Sequence, residues 1–228
     1  MQGKNHAHHK VSHILLRRKA MVKKYAWVLI LLFGMACRAK YVLIPPAIDL
    51  LNYENIGLIT FTVENAKGEL DQMATQRFLQ EITQYQRGVQ IIELGKLGEV
   101  LGKINKGNLD LEAAKAIGEE YGISSYFHGN IKVSKVKSQV NLLGILEKGL
   151  RARVKFDISV AGRLISTENG ATLWTDSALR EGTVGFLSMG EDQIPVFGMR
   201  SQDETTKELI RALMFQLTRD FRPSRERI

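Results

Sequence analysis

Short apolar runs alternate with amphipathic segments through the first half of the chain. Residues 56–61 are β-branched and aromatic, which predicts a buried strand. Between Leu70 and Tyr85 the apolar residues recur at helical spacing with polar residues between them, which predicts an amphipathic helix that ends near Gly88. Residues 89–92 then predict a second strand, so the chain begins its ordered part as strand, helix, strand.

The following segments continue this alternation. Apolar residues at helical spacing over residues 97–104 predict a short helix, and Asp110 is a suitable N-cap for another helix that ends at Gly122. Residues 126–131 predict a third strand. Residues 150–160 alternate strictly between apolar and polar side chains, which is the period of a half-buried strand.

The last elements are marked by turn and cap residues. Asn169-Gly170 is a hairpin dipeptide, and residues 171–177 after it predict another strand. Ser201 with Glu204 forms a capping-box pattern that opens a final amphipathic helix. The predicted order is β-α-β-α-α-β-β-β-α, which indicates an α/β fold (an α+β sandwich) with amphipathic helices packed on a mixed β-sheet.

An apolar segment without charge precedes all of these elements. Residues 25–36 are too short for a transmembrane helix, which needs about 20 residues, and they follow Lys23 and Lys24. A basic region, a short apolar region and small residues together indicate a secretory signal, with Met21 as an alternative start. Gly34 and Ala36 stand just before Cys37, the only cysteine of the chain.

This junction resembles the lipobox of bacterial lipoproteins, in which the cysteine is acylated and the leader is cut before it. The resemblance implies signal cleavage at Gly34 and Ala36 and a covalent lipid on Cys37 as palmitate or a similar acyl group. Because residue 38 is Arg and not Asp, analogy with enteric bacteria predicts the outer membrane of a Gram-negative cell, facing the periplasm. The alternatives are a stray thiol at Cys37 and a metal-binding cluster of leader histidines.

These features divide the chain into four predicted parts. Residues 1–36 are the signal peptide, and residues 37–54 are the acylated cysteine with an extended tether around Pro45-Pro46. Residues 55–222 form one α/β domain, and residues 223–228 are a basic tail.

The distribution of charge argues against nucleic acid as a partner. The formal net charge is +8, but residues 1–36 hold seven Lys/Arg and no acid, while residues 37–228 hold 25 Lys/Arg against 24 Asp/Glu. The only histidine after the leader is His128, which we interpret as structural, and Trp174 is interpreted as a core anchor. The sequence assembles no catalytic constellation and no metal site, which predicts a protein that is not an enzyme and has no cofactor besides the lipid.

Several segments together resemble a known family of envelope lipoproteins. Pro45-Pro46-Ala47-Ile48-Asp49-Leu50, followed by Ile56-Gly57-Leu58-Ile59-Thr60-Phe61, is similar to the entry strand of lipoproteins related to the curli-secretion component (CsgG-like), with Thr60 where the family has Pro. Further similar segments follow in the family's order at residues 69–104, 110–122, 125–131 and 164–174. The same fold occurs, by resemblance, in the N-terminal domain of TolB and in lipoproteins that activate cell-wall synthases.

The resemblance implies two functions that the residues leave open. The first is a non-catalytic docking or assembly module for an envelope or secretion complex. The alternative is an oligomeric secretion pore that uses hairpins near residues 135–160 and 180–200, because a spanning strand needs apolar side chains that alternate outward. The candidate membrane-facing side chains are Leu150, Val154, Phe156, Ile158 and Val160. A third hypothesis, an envelope enzyme, would depend on His128.

Overall fold

The computed structural model describes residues 40–134, 153–185, 194–197 and 204–227. The chain divides into two compact units, one formed by Pro45–Ser224 and the other by Met1–Ile44 with Arg225–Ile228. The described strands are β1 (Tyr41–Ile44), β2 (Ile56–Thr60), β3 (Thr62–Glu64), β4 (Lys67–Gly68), β5 (Ile91–Lys96), β6 (Ser125–Val133), β7 (Arg153–Ser166), β8 (Thr172–Gly185), β9 (Val196–Phe197) and β10 (Ser224–Arg227).

A mixed six-stranded sheet forms the centre of the Pro45–Ser224 unit. Its order is β5-β2-β6-β7-β8, and β3 continues beside β6 where β2 ends. Strand β2 runs parallel to both neighbours, with Ile56 opposite Ile91 on one side and Ser125 on the other. Strands β6, β7 and β8 are antiparallel, and the two-stranded pairs β4-β9 and β1-β10 stand outside this sheet.

Four helices of the described chain pack around this sheet. They are α1 (Leu70–Tyr85), α2 (Leu97–Lys103), α3 (Leu111–Tyr121) and α4 (Glu204–Leu217), and single 3-10 turns occupy Leu50–Asn52 and Arg219–Phe221. The predicted caps of α3 are confirmed: an Asp110 carboxylate oxygen accepts a 2.9 Å hydrogen bond from the Ala113 N–H. Gly122 ends the helix in the left-handed region, at φ 64°, where glycine has no steric cost.

The predicted fold class is confirmed, because a mixed sheet carries helices on its faces and β2-α1-β5-α2-α3-β6-β7-β8-α4 repeats the expected order. The boundaries differ where strands are long. The strand predicted over residues 150–160 continues to Ser166, and the one predicted over 171–177 continues to Gly185. Beyond the predicted ends, the two strands are still paired with each other in the antiparallel sheet, and this pairing extends both of them. Ser201 lies outside the described residues.

Two hydrophobic clusters cover opposite faces of the sheet. Phe127 belongs to the cluster beneath α1 and α4, and its neighbour Tyr126 belongs to the cluster beneath α2 and α3, as alternation along a strand requires. The first cluster contains a chain of ring contacts among Phe61, Phe78, Phe127, Trp174 and Phe221, with centroids 4.7–6.1 Å apart. Trp174 is a buried core side chain, as predicted, and its indole N–H donates to Asp220 over 3.1 Å.

One close approach within this cluster requires glycine. A Cβ atom at Gly129 of β6 would stand 2.2 Å from a carbon of the Phe61 ring. Because the ring of Phe61 is itself buried against Phe78, it has little room to move. Gly129 therefore lets the Phe61 ring lie directly on the central sheet.

A buried glutamine joins distant parts of the same unit. The Gln86 side chain accepts a hydrogen bond from the Leu50 N–H (3.0 Å) and donates to the carbonyls of Ile48 (3.0 Å) and Phe221 (2.8 Å). It is 5% exposed. Gln86 thus ties the end of α1 to the segment before β2 and to the 3-10 turn after α4.

Candidate functional site

Several residues predicted for function lie outside the described part of the chain. These are the lipidation residue Cys37, the cleavage residues Gly34 and Ala36, and Leu150 of the candidate hairpin. Residues 135–152, 186–193 and 198–200 of the two predicted hairpins also lie outside it. For these residues the interpretation given by the sequence stays a prediction.

The remaining hairpin residues belong to β7. Phe156, Ile158 and Val160 are all buried in the first cluster, at 4%, 1% and 1% exposure. The Phe156 ring contacts Phe197 at a centroid distance of 5.9 Å, while the alternate residues Lys155 and Asp157 are exposed. The apolar side of β7 therefore lies on protein at these three positions. Val154 continues the ladder opposite Val184.

The opposite face of the sheet offers a polar surface. Helices α2 and α3 cover the start of β6, where Tyr126 is 1% exposed. Further along β6 the side chains on this face become accessible to solvent, and the Lys132 side chain is 63% exposed. We call the accessible part the polar sheet patch. It consists of Thr62, Glu64, His128, Asn130, Lys132 and Arg163.

Hydrogen bonds fix the side chains of this patch between adjacent strands. The Asn130 amide donates to the hydroxyl of Thr62 (3.0 Å) and to a Glu64 carboxylate oxygen (3.1 Å). The Thr62 hydroxyl in turn donates to the carbonyl of Gly129 at 3.3 Å. The Lys132 ammonium lies 3.7 Å from Glu64. The patch is therefore an ordered set of donors and acceptors on rigid strands, which suits recognition of a polar partner.

His128 lies at the edge of the patch, where its side chain is half-buried. Its Nε2 atom is buried and has no hydrogen-bond partner among the described residues, and Arg163 stands opposite it in the antiparallel ladder. Burial, with a smaller contribution from Arg163, lowers the pKa of His128 below its usual value. The partly buried position therefore favours the neutral imidazole. His128 is thus part of a polar surface. Among the described residues, no group of His, Cys, Asp and Glu side chains could hold a metal ion.

Sequence reasoning missed this patch, although its signal was present. Polar side chains at His128, Asn130 and Lys132 alternate with residues that face the first cluster, which is the period of a strand with one polar face. The contribution of β3 could not be read in the same way. Strand β3 begins after a break at Phe61, and that break brings Thr62 opposite Asn130.

The β1-β10 pair is a second exposed feature, within the smaller unit. All four side chains of β1 are exposed: Tyr41 at 61%, Val42 at 45%, Leu43 at 64% and Ile44 at 37%. The paired strand β10 is exposed throughout. The sequence predicted an extended tether here, and the proximity of the terminal segments was not predictable from local pattern.

No family model and no curated protein matches this chain. Among solved structures, it is similar to the PelC dodecamer from Paraburkholderia phytofirmans, with TM-score 0.44 and 11% identity over 81% of this chain and 97% of that one. It is also similar to lipoprotein GNA1162 from Neisseria meningitidis, with TM-score 0.36 and 14% identity over 60% of this chain and 88% of that one.

A third similar structure is the LpoB C-terminal domain from Escherichia coli, with TM-score 0.32 and 9% identity over 56% of this chain and 82% of that one. All three TM-scores are below 0.5, so the functional argument below rests on the chain's own residues. Within the described ranges, no helix is long and apolar enough to cross a membrane.

Proposed function

We propose that the mature chain is a lipoprotein of the Gram-negative outer membrane, facing the periplasm, that binds another envelope component through its α/β domain. In this proposal it is an assembly module and not an enzyme. The acyl chains on Cys37 hold it at the membrane, and the polar sheet patch receives the partner.

The position of Cys37 carries the proposal. It is the only cysteine of 228 residues, and it stands directly after ten uncharged residues and Ala36. Two or more acyl chains on that residue would anchor the protein stably, since each buried methylene contributes about 0.8 kcal/mol and one chain alone binds only marginally.

The polar sheet patch supports the docking part of the proposal. Its side chains are held by hydrogen bonds between β3 and β6, so little conformational entropy would be lost when a partner binds. The buried Nε2 of His128 has no hydrogen-bond partner within the described ranges, and a bound group could supply one. The burial of Phe156, Ile158 and Val160 favours docking over a pore that uses those side chains.

Metabolic labelling with an alkynyl palmitate analogue tests the anchor. We expect label on the full chain expressed in an enteric host and loss of label and of membrane sedimentation in Cys37→Ala. The matched variant Arg38→Asp should keep the label and move the protein to the inner-membrane fraction. An equally labelled Cys37→Ala protein would refute acylation at this residue.

Photo-crosslinking in cells tests the docking surface. A photoreactive amino acid at Lys132 should give a discrete adduct with one envelope component, and the same group at the exposed Glu112 of α3 should not. Adducts at both positions, or at neither, would refute the patch as the docking site. The molar mass of the detergent-extracted protein, corrected for bound detergent, distinguishes the docking module from the secretion pore. A ring of many subunits would favour the pore.

A further inference from the structure

The β1-β10 pair, which we call the terminal ribbon, exposes an unusual amount of apolar surface. The four consecutive residues Tyr41–Ile44 are 37–64% exposed. Neighbouring side chains of a strand point to opposite faces, so both faces of the ribbon carry apolar groups. A two-stranded ribbon is marginally stable in water, and contiguous exposed apolar residues mark an interaction surface.

The charges of the ribbon indicate what covers it. Strand β10 brings Arg225, Glu226 and Arg227 beside the apolar strand, and Lys40 immediately precedes β1. Three cations against one acid give the ribbon, together with Lys40, a net positive charge. Apolar side chains combined with cations, and a tyrosine among them, are the composition of segments that lie at the surface of an anionic bilayer. Two copies of the ribbon would repel each other.

The position of the ribbon along the chain points to the same partner. Strand β1 begins four residues after Cys37, and four extended residues span at most about 14 Å. An acyl anchor at Cys37 would therefore hold the ribbon close to the headgroup layer. Such a tether raises the local concentration of the two surfaces, so weak contacts suffice.

We propose that the terminal ribbon lies in the interface of the membrane to which the protein is anchored. Tyr41 and Leu43, the two most exposed apolar residues of the ribbon, enter the boundary between headgroups and acyl chains. Arg225 and Arg227 bind the phosphates of anionic lipids. This inference rests on the proposed acylation of Cys37, and it assigns the ribbon a role in addition to that of the lipid.

The test uses full-length protein processed in cells, with the lipid on Cys37 verified by mass spectrometry. Leu43→Cys introduces a free thiol for an environment-sensitive NBD fluorophore, because the acylated Cys37 sulfur does not react. Lys115→Cys, at an exposed position of α3, is labelled in the same way as the control. Both proteins are reconstituted into vesicles of phosphatidylethanolamine and phosphatidylglycerol, or of phosphatidylcholine alone, and the rate of NBD reduction by aqueous dithionite is measured.

We expect the label at position 43 to be reduced more slowly than the label at 115, and only in the anionic vesicles. Adding Arg225→Ala and Arg227→Ala should weaken the surface association of the ribbon by up to about 30-fold, since each cation contributes about fivefold. The lysine variants Arg225→Lys and Arg227→Lys should retain it. Circular dichroism verifies that each variant is folded.

Three results would overturn the inference. The first is equally fast reduction at positions 43 and 115 in both vesicle types. The second is equal protection in anionic and neutral vesicles, and the third is protection that grows with the ratio of protein to lipid, which would assign the ribbon to a second copy. A mass spectrum without lipid on Cys37 would instead refute the proposed function.

Discussion

Replacement of Gln86 by methionine should destabilise the domain strongly although it leaves the packing volume nearly unchanged. Methionine has a similar length, so the substitution creates no large cavity. It removes the partners of the Leu50 N–H and of the Ile48 and Phe221 carbonyls, which lie 2.8–3.0 Å from the Gln86 side chain. The Leu50 and Phe221 contacts are buried and the Ile48 contact is partly buried. Because a buried polar group left unpaired costs about 1–3 kcal/mol, the loss should reach about 3 kcal/mol.

Urea unfolding followed by circular dichroism measures this loss. In a domain of this size, about 3 kcal/mol corresponds to a decrease in Tm of about 6–12 °C. The matched control is Gln72→Met, at an exposed position of the same helix, which should change stability by less than about 0.5 kcal/mol. If Gln86→Met and Gln72→Met unfold at the same urea concentration, the three hydrogen bonds contribute nothing and the reasoning is refuted.

Three further predictions address the sheet. Gly129→Ala should lower the free energy of unfolding by about 1–3 kcal/mol, because the added carbon would stand 2.2 Å from the Phe61 ring. The control Gly98→Ala should not lower it, because no atom lies within 4 Å of the added carbon, and equal urea midpoints for the two variants would contradict this prediction. Burial, followed by Arg163, lowers the pKa of His128, so the unfolded chain binds the proton more tightly and stability should fall as the pH drops below about 6.5. His128→Gln should remove that component from urea titrations, and an unchanged pH profile would argue against it. Burial raises the pKa of Tyr126 to about 12, so stability should decline as the pH rises from about 10 towards that value. Tyr126→Phe should lessen this alkaline loss, and a steeper decline would be the contrary result.

Local pattern predicted the helices and main strands because each depends on its own side chains. The Asp110 cap, the Gly122 terminus and the alternation of β7 follow from residues within one turn or one strand of each other. Strand β3 was not predicted as a separate strand, because Phe61 interrupts the alternation of inward and outward side chains and packs against Phe78 in the core. Its three residues have too little period of their own to reveal a strand.

The candidate site was less accessible to sequence reasoning. The lipidation proposed at Cys37 follows from adjacent residues alone, whereas the polar sheet patch requires knowing that Thr62 lies opposite Asn130 in a parallel ladder. Gln86 illustrates the same limit. Its three partners come from both ends of the domain. A glutamine that follows a helix has no neighbouring sequence feature from which its burial could be predicted.

The Gln86 contact with Phe221 also has a consequence for the order in which the protein folds. The two residues are 135 positions apart in the chain. Central strand β2 likewise pairs with β6, which is formed much later in the sequence. Long-range contacts of this kind slow folding, because the loop must close before any contact is gained. A chain that emerges amino end first cannot complete this core until residue 221 has appeared. The last hydrogen bonds of this core therefore form only after nearly the whole domain has been synthesised.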